Sequence, residues 1–104
     1  MKKIINAKRY NTETATEIGH YSYGSYDNFN HIEETLYRTP KGNWFLVGGG
    51  GPKSKYAKPV STGGLTGDSN VFTVLSESEA YDWMERHTDA ETIEEYFQDD
   101  IEDA

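Results

Sequence analysis

From Ser76 onward the chain changes character: residues 76–104 hold one Arg against twelve Asp/Glu, whereas residues 1–75 hold nine Lys/Arg against six Asp/Glu. A segment carrying a balance of −11 in 29 residues can join a folded domain only if its carboxylates stay in water and its few apolar residues share one face. The residues meet that condition. Ser76-Glu77-Ser78-Glu79 reads as a capping box, with Leu75 and Ala80 at the staple positions. Ala80, Trp83, Met84 and His87 then recur at i, i+3, i+4 and i+7, predicting a helix over 77–87. A second box, Thr88-Asp89-Ala90-Glu91, starts another helix with Ile93, Tyr96, Phe97 and Ile101 on its apolar face. Residues 98–104 are read as a frayed acidic tail.

Upstream, the strongest β signal is Ile32–Val47, two alternating runs joined by Thr39-Pro40-Lys41-Gly42. Proline sets φ for a turn and Gly42 tolerates positive φ, so a hairpin is expected. Lys2–Tyr10 reads as a first strand or extended lead-in, and Val71–Leu75 as a later strand. Asn11 and Thr12 suit a helix N-cap and Gly19 a C-cap, so a short N-terminal helix is expected over Thr12–Ile18. Residues 48–70, with seven of the ten glycines, read as a long loop. The expected architecture is α+β: a small antiparallel sheet, a short N-terminal helix, and two acidic C-terminal helices packed on the sheet, in one domain over residues 1–104.

Only 35% of the 104 residues are hydrophobic, but eight Tyr, four Phe and two Trp supply enough area for a modest core. With no cysteine, disulfides, zinc–thiolate sites and thiol catalysis are excluded. The chain shows no signal-like or membrane-length apolar run, which makes a cytoplasmic, membrane-free protein the expectation.

Three motifs invite chemistry and are set aside. Gly48–Ser54 approaches a P-loop, but Pro52 stands where the last glycine belongs and has no amide hydrogen for a phosphate. His20, His31 and His87 lack metal-ligand spacing; His87, in a last helical turn, suits the helix dipole. Glu33 and Glu34 alternate faces of a strand and do not converge, and they are read as solvent-facing. No catalytic residue, metal or cofactor is expected. An enzyme would require a converging polar pocket near residues 48–58.

The partner-binding candidates are Glu77, Asp82 and Glu85 on the first acidic helix and Glu91, Glu94 and Glu95 on the second. Carboxylates spaced on rigid rods can reproduce the charge pattern of a nucleic-acid backbone. Direct nucleic-acid binding is disfavoured by the same charge, and a basic protein surface is favoured. Tyr23 and Tyr26 join the candidates because aromatics in a loop-rich segment give contact area at low entropy cost.

The series Tyr10–Ala15, Glu34–Arg38, Gly42–Leu46, Gly50-Gly51, Ser54–Ala57 and Leu75–Ala80 with Trp83 resembles a family of small proteins of Gram-positive bacteria, their phages and mobile elements. Such a setting implies an inhibitor of host defence, anti-CRISPR-like, acting on a nucleic-acid-handling complex such as a CRISPR effector. It transfers no active-site residues. The alternative is a general adaptor or toxin-neutralising module that binds through its aromatic sheet face and glycine-rich loop.

Overall fold

The computed structural model describes residues 1–25 and 27–104. Its centre is a four-stranded antiparallel sheet, formed by β3 (Thr16–Tyr23), β4 (Ile32–Arg38), β5 (Trp44–Gly50) and β8 (Asp68–Leu75) in that spatial order. β1 (Lys2–Ile5) and β2 (Lys8–Asn11) form one separate hairpin, and β6 (Lys58–Pro59) and β7 (Leu65–Thr66) form another. Two helices follow, α1 (Glu77–His87) and α2 (Ala90–Phe97), then a single 3₁₀ turn at Gln98–Asp100.

The expected α+β arrangement with an N-terminal helix is overturned. Among the described residues strand outweighs helix, 41% against 21%, and both helices are C-terminal. Over residues 12–18 the chain instead turns and enters β3. The Asn11 side chain does bind a following amide, that of Glu13 at 3.0 Å, but it closes a turn rather than opening a helix. Thr12, Thr14, Thr16 and Ile18 are β-branched and lose side-chain freedom in a helix, while β3 pairs Thr16–Tyr23 along β4. The 48–70 segment, expected as a long loop, is partly strand: β5 runs through Gly50, β8 begins at Asp68, and β6 and β7 form their own hairpin.

The β4–β5 hairpin forms as expected, with Arg38 opposite Trp44 and Gly42 at φ 88°. Alternation along β5 assigns its side chains to two faces, and both are covered. Trp44 and Leu46 lie with Leu36 beneath Ala80, Trp83, Met84 and Phe97 of the helices. Phe45 and Val47 lie on the other face beneath Tyr10 of the first hairpin, flanked by Tyr37 and Phe72. A strand buried on both faces reads as a continuous apolar run, and Trp44-Phe45-Leu46-Val47 is one.

The β1–β2 turn holds Asn6 at φ 51° and Ala7 at φ 63°. Two consecutive left-handed residues are what a two-residue type I′ hairpin turn requires, and alanine is poorly suited to the second. Ala7→Gly is therefore expected to stabilise the protein by about 1 kcal/mol and raise its melting temperature by about 5 °C, read by thermal denaturation. An unchanged melting temperature would mean that this hairpin contributes nothing to global stability, and a lower one that the unfolded-state entropy of glycine outweighs the relief of the left-handed alanine.

Candidate functional site

The helical layer is built as its capping chemistry dictates. The Ser76 hydroxyl accepts from the Glu79 amide at 3.1 Å, and the Glu79 carboxylate accepts from the Ser76 amide at 2.9 Å. The second cap sits one residue later than the sequence reading placed it. Asp89, not Thr88, accepts from the Thr92 amide at 2.9 Å. The Thr88 hydroxyl instead donates to the Met84 carbonyl at 2.7 Å, closing α1. After this short connection α2 folds back on α1, and Tyr81 in the first half of α1 meets Phe97 at the end of α2, ring centroids 5.4 Å apart.

Both apolar faces point at the sheet, so the opposite arcs point into water. Glu77, Asp82 and Glu85 on α1, and Glu91, Glu94 and Glu95 on α2, are all exposed. The structure gathers the six in one layer on one side of the sheet. Among the described residues the ion pairs are His20–Glu33, Lys55–Glu34 and Lys58–Asp68, and none uses a helix carboxylate. The negative field acts on a neighbour: a hydrogen bond to Glu85, then the charges of Glu85, Asp82 and Asp100, push the Tyr81 phenol above its ordinary value. Glu77, Ser78, Tyr81, Phe97 and Asp100 line an open groove of about 360 Å³ between the start of α1 and the end of α2.

Tyr23 is 53% exposed at the end of β3. Its neighbour Tyr21, two residues back on the same face, stacks on His87 with ring centroids 3.9 Å apart. Tyr23 thus shares the helical side of the sheet with the six carboxylates, and Phe29 is likewise exposed, at 61%. Tyr26 lies outside the described residues. His87 stands in the last turn of α1 as expected, with its ring held against Tyr21 and Trp83. Burial first, and the neighbouring Arg86 second, push its imidazole below the ordinary value, which suits a neutral ring packed between Tyr21 and Trp83.

The residue the sequence reading misplaced is Glu34, which is buried, at 2% exposure, and not solvent-facing. Its carboxylate accepts from the Trp83 indole at 3.0 Å and from the Tyr56 hydroxyl, and pairs with the Lys55 ammonium at 2.6 Å. Burial alone would push this carboxyl up; the bonds from Lys55, Tyr56 and Trp83, with the Lys55 charge, outweigh it and hold the group below its ordinary value. Tyr56 is pushed up by burial and by its bond to Glu34, so it stays a donor. Gly48 faces Glu34 across the β4–β5 ladder, and a Cβ there would run into the Tyr56 hydroxyl. Glycine at 48 thus admits the Tyr56 ring, which ties the 51–57 turn to the sheet. The parity Ile32, Glu34, Leu36 was the available signal, since alternate residues of a strand share a face.

The glycine run is structural in the same way. The Ser54 hydroxyl donates to the Gly51 carbonyl at 2.7 Å and the Lys53 amide to the Phe29 carbonyl at 2.9 Å. These bonds close a turn and leave no cradle of free amides for a phosphate.

On the far face of the sheet, His20, His31, Glu33, Thr35 and Asp68 line an open hollow of about 290 Å³ beside Gly48–Gly50. His20 lies 2.8 Å from the Thr35 hydroxyl and 3.6 Å from Glu33. His20 and Glu33 are both exposed, so water rather than a low-dielectric cleft surrounds the pair. Among the described residues no three His, Asp or Glu side chains group to hold a metal ion. No helix there is long and apolar enough to cross a membrane.

The chain matches no known family model, no curated protein and no solved structure.

Proposed function

We propose that this is a non-enzymatic binding protein whose helical layer presents Glu77, Asp82, Glu85, Glu91, Glu94 and Glu95 to a basic protein surface, one that otherwise holds nucleic acid. One observation carries the reading: six carboxylates point away from the sheet with no ion pair among the described residues. Carboxylates left unneutralised on a rigid frame repel one another, and a cationic partner relieves that repulsion. Set beside the resemblance to small proteins of phages and mobile elements, this describes an inhibitor in the host cytoplasm that blocks a nucleic-acid-handling defence complex, a CRISPR effector among the candidates.

The test is competition. The protein is immobilised, a Gram-positive host extract is passed over it, and bound proteins are released in parallel by a salt gradient and by duplex DNA. The expected result is a nucleic-acid-binding partner released by both. A partner that withstands both agents would overturn the reading.

The adaptor or toxin-neutralising reading keeps one favourable observation, the exposure of Tyr23 and Phe29. The aromatic sheet face it also invoked is already taken, because Tyr10 of the first hairpin covers Phe45 and Val47.

A further inference from the structure

The two faces of the central sheet carry layers of opposite sign. The helices and their carboxylates lie on one, and the β1–β2 hairpin covers the other, with Tyr10 over Phe45 and Val47. Residues 1–12 contain Lys2, Lys3, Lys8 and Arg9 and no carboxylate. Where the tip of this hairpin meets the β4–β5 turn, Lys8, Arg9 and Lys41 line an open hollow of about 440 Å³, together with Ala7, Thr39 and Asn43. No carboxylate lines it.

In a chain with eighteen Asp/Glu and ten Lys/Arg, three cations gathered without a carboxylate run against the composition. Among the described residues the cationic members of ion pairs are His20, Lys55 and Lys58, so all three stand unneutralised. Arg38, at the root of the same turn, adds a fourth positive charge. Its buried Nε–H meets no acceptor among the described residues, and its guanidinium lies over the rings of Trp44 and Tyr96, 5.1 and 5.4 Å from their centroids. Neutral donors stand beside the charges. The turn is closed by the Thr39 amide on the Asn43 carbonyl at 2.8 Å, the Gly42 amide on the Thr39 carbonyl at 2.9 Å, and the Asn43 amide on the Thr39 hydroxyl oxygen at 3.0 Å. Among the described residues these bonds leave the Thr39 hydroxyl hydrogen, the Lys41 amide and the Asn43 carboxamide without an acceptor.

We propose that this hollow binds a small phosphate-bearing molecule through a diphosphate group. Cations held together repel one another, and a multiply charged oxyanion relieves that repulsion. The Arg9 guanidinium can take two phosphate oxygens at once, and Lys8 and Lys41 act as point charges. The volume lies within the range of small-ligand pockets, about 300–1,000 Å³. No aromatic side chain lines the hollow, so nothing there stacks on a base, and recognition ends at the phosphates. A nucleic-acid strand fits less well, because beyond the hollow a long polyanion meets a protein of net charge −8. Lys8, Arg9 and Lys41 are exposed, so water competes for them, and a dissociation constant of about 10–300 μM is expected at low salt.

The inference does not rest on the acidic-face reading, and variants separate the two. Inorganic pyrophosphate, titrated at low salt into the wild type, should give saturable amide chemical-shift changes concentrated in residues 7–9 and 39–43. ADP carries the same diphosphate and should bind within about threefold of pyrophosphate. Lys8→Gln combined with Lys41→Gln should weaken binding by about 10-fold or more and leave the thermal melt of the unliganded protein unchanged, because both side chains are exposed. A variant with amides in place of the six helix carboxylates should still bind pyrophosphate, whatever happens to its association with a protein partner. Five outcomes would each overturn the inference. They are no saturation below about 5 mM pyrophosphate, shift changes spread evenly along Lys2–Arg9, and binding of ADP without pyrophosphate. Tighter binding per phosphate by a single-stranded DNA oligonucleotide is the fourth, and undiminished binding by the double lysine variant is the fifth.

Discussion

Glu34→Leu is expected to cost about 3 kcal/mol of stability and to lower the melting temperature by about 15 °C. The magnitude follows from what the substitution leaves behind. Lys55 is 57% exposed and can turn to water once its partner is gone. Trp83 cannot, because it is 3% exposed and its indole has donated to Glu34 at 3.0 Å. Tyr56, held over Gly48, loses its acceptor too. Each half-buried or buried donor left without an acceptor costs about 1–3 kcal/mol. Adding Tyr56→Phe to Glu34→Leu removes one stranded donor and should recover about 1 kcal/mol, although either change alone destabilises. If Glu34→Leu were neutral in urea denaturation, apolar packing alone would hold α1 and the 51–57 turn to β4.

The same carboxylate gives stability a pH dependence of known sign. Its folded value lies below the ordinary 4.5, so the stabilisation is fully present above about 4.5 and is lost as pH falls through the folded value. The groups that face it are Lys55, Tyr56 and Trp83, with His87 close enough to feel its charge. His87 acts separately and in the same direction: held below 6.5 in the fold, it opposes folding once the pH drops far enough to protonate it in the unfolded chain. Comparison with Glu34→Gln removes the carboxylate together with its upward pull on His87, and every other group is shared. The gap in melting temperature between wild type and Glu34→Gln should narrow as pH falls from 6 toward 3 (about 3 °C or more remaining at neutral pH). A constant gap would mean that the charge of Glu34 is immaterial and only its shape matters.

What could be read in the sequence, and what could not, divides along local and long-range causes. The α1 cap is legible because Ser76 and Glu79 satisfy each other within four residues, and the β4–β5 turn because Pro40 and Gly42 act on their own backbone. The Thr12–Ile18 segment misleads because its cap residue and glycine are real local signals, overruled by pairing with β4, which no local pattern announces. The shift of the second cap from Thr88 to Asp89 has a related cause. Both residues can cap, and α1 uses the Thr88 hydroxyl for its own last carbonyl. Glu34 was legible in part. Its parity with Leu36 put it on the core face, but the three donors that make burial tolerable come from residues 55, 56 and 83, far along the chain. The six outward carboxylates were legible as individuals. Their confinement to one side of the sheet needed α2 to fold back on α1.

Replacing Glu77, Asp82, Glu85, Glu91, Glu94 and Glu95 together by their amides is expected to slow association with the proposed basic partner by about 10- to 100-fold at low salt. Long-range attraction acts on the encounter, so the loss falls on the association rate and the dissociation rate changes less. The helices should survive. Their caps use Ser76, Glu79, Thr88 and Asp89, and their buried faces use Ala80, Trp83, Met84 and Phe97, none of which is altered. Self-repulsion falls at the same time, so the melting temperature should stay level or rise at low ionic strength, with the difference fading as salt is added. The association rate of the variant should also depend less steeply on salt than that of the wild type. That pairing of outcomes is what identifies an electrostatic docking face: stability held or gained, encounter lost. A variant that binds as fast as the wild type would return the carboxylates to a solvated surface and shift attention to Tyr23 and Phe29. A variant that loses both binding and its cooperative melt would show that the acidic residues hold the helices themselves, which the hydrogen-bond pattern does not require.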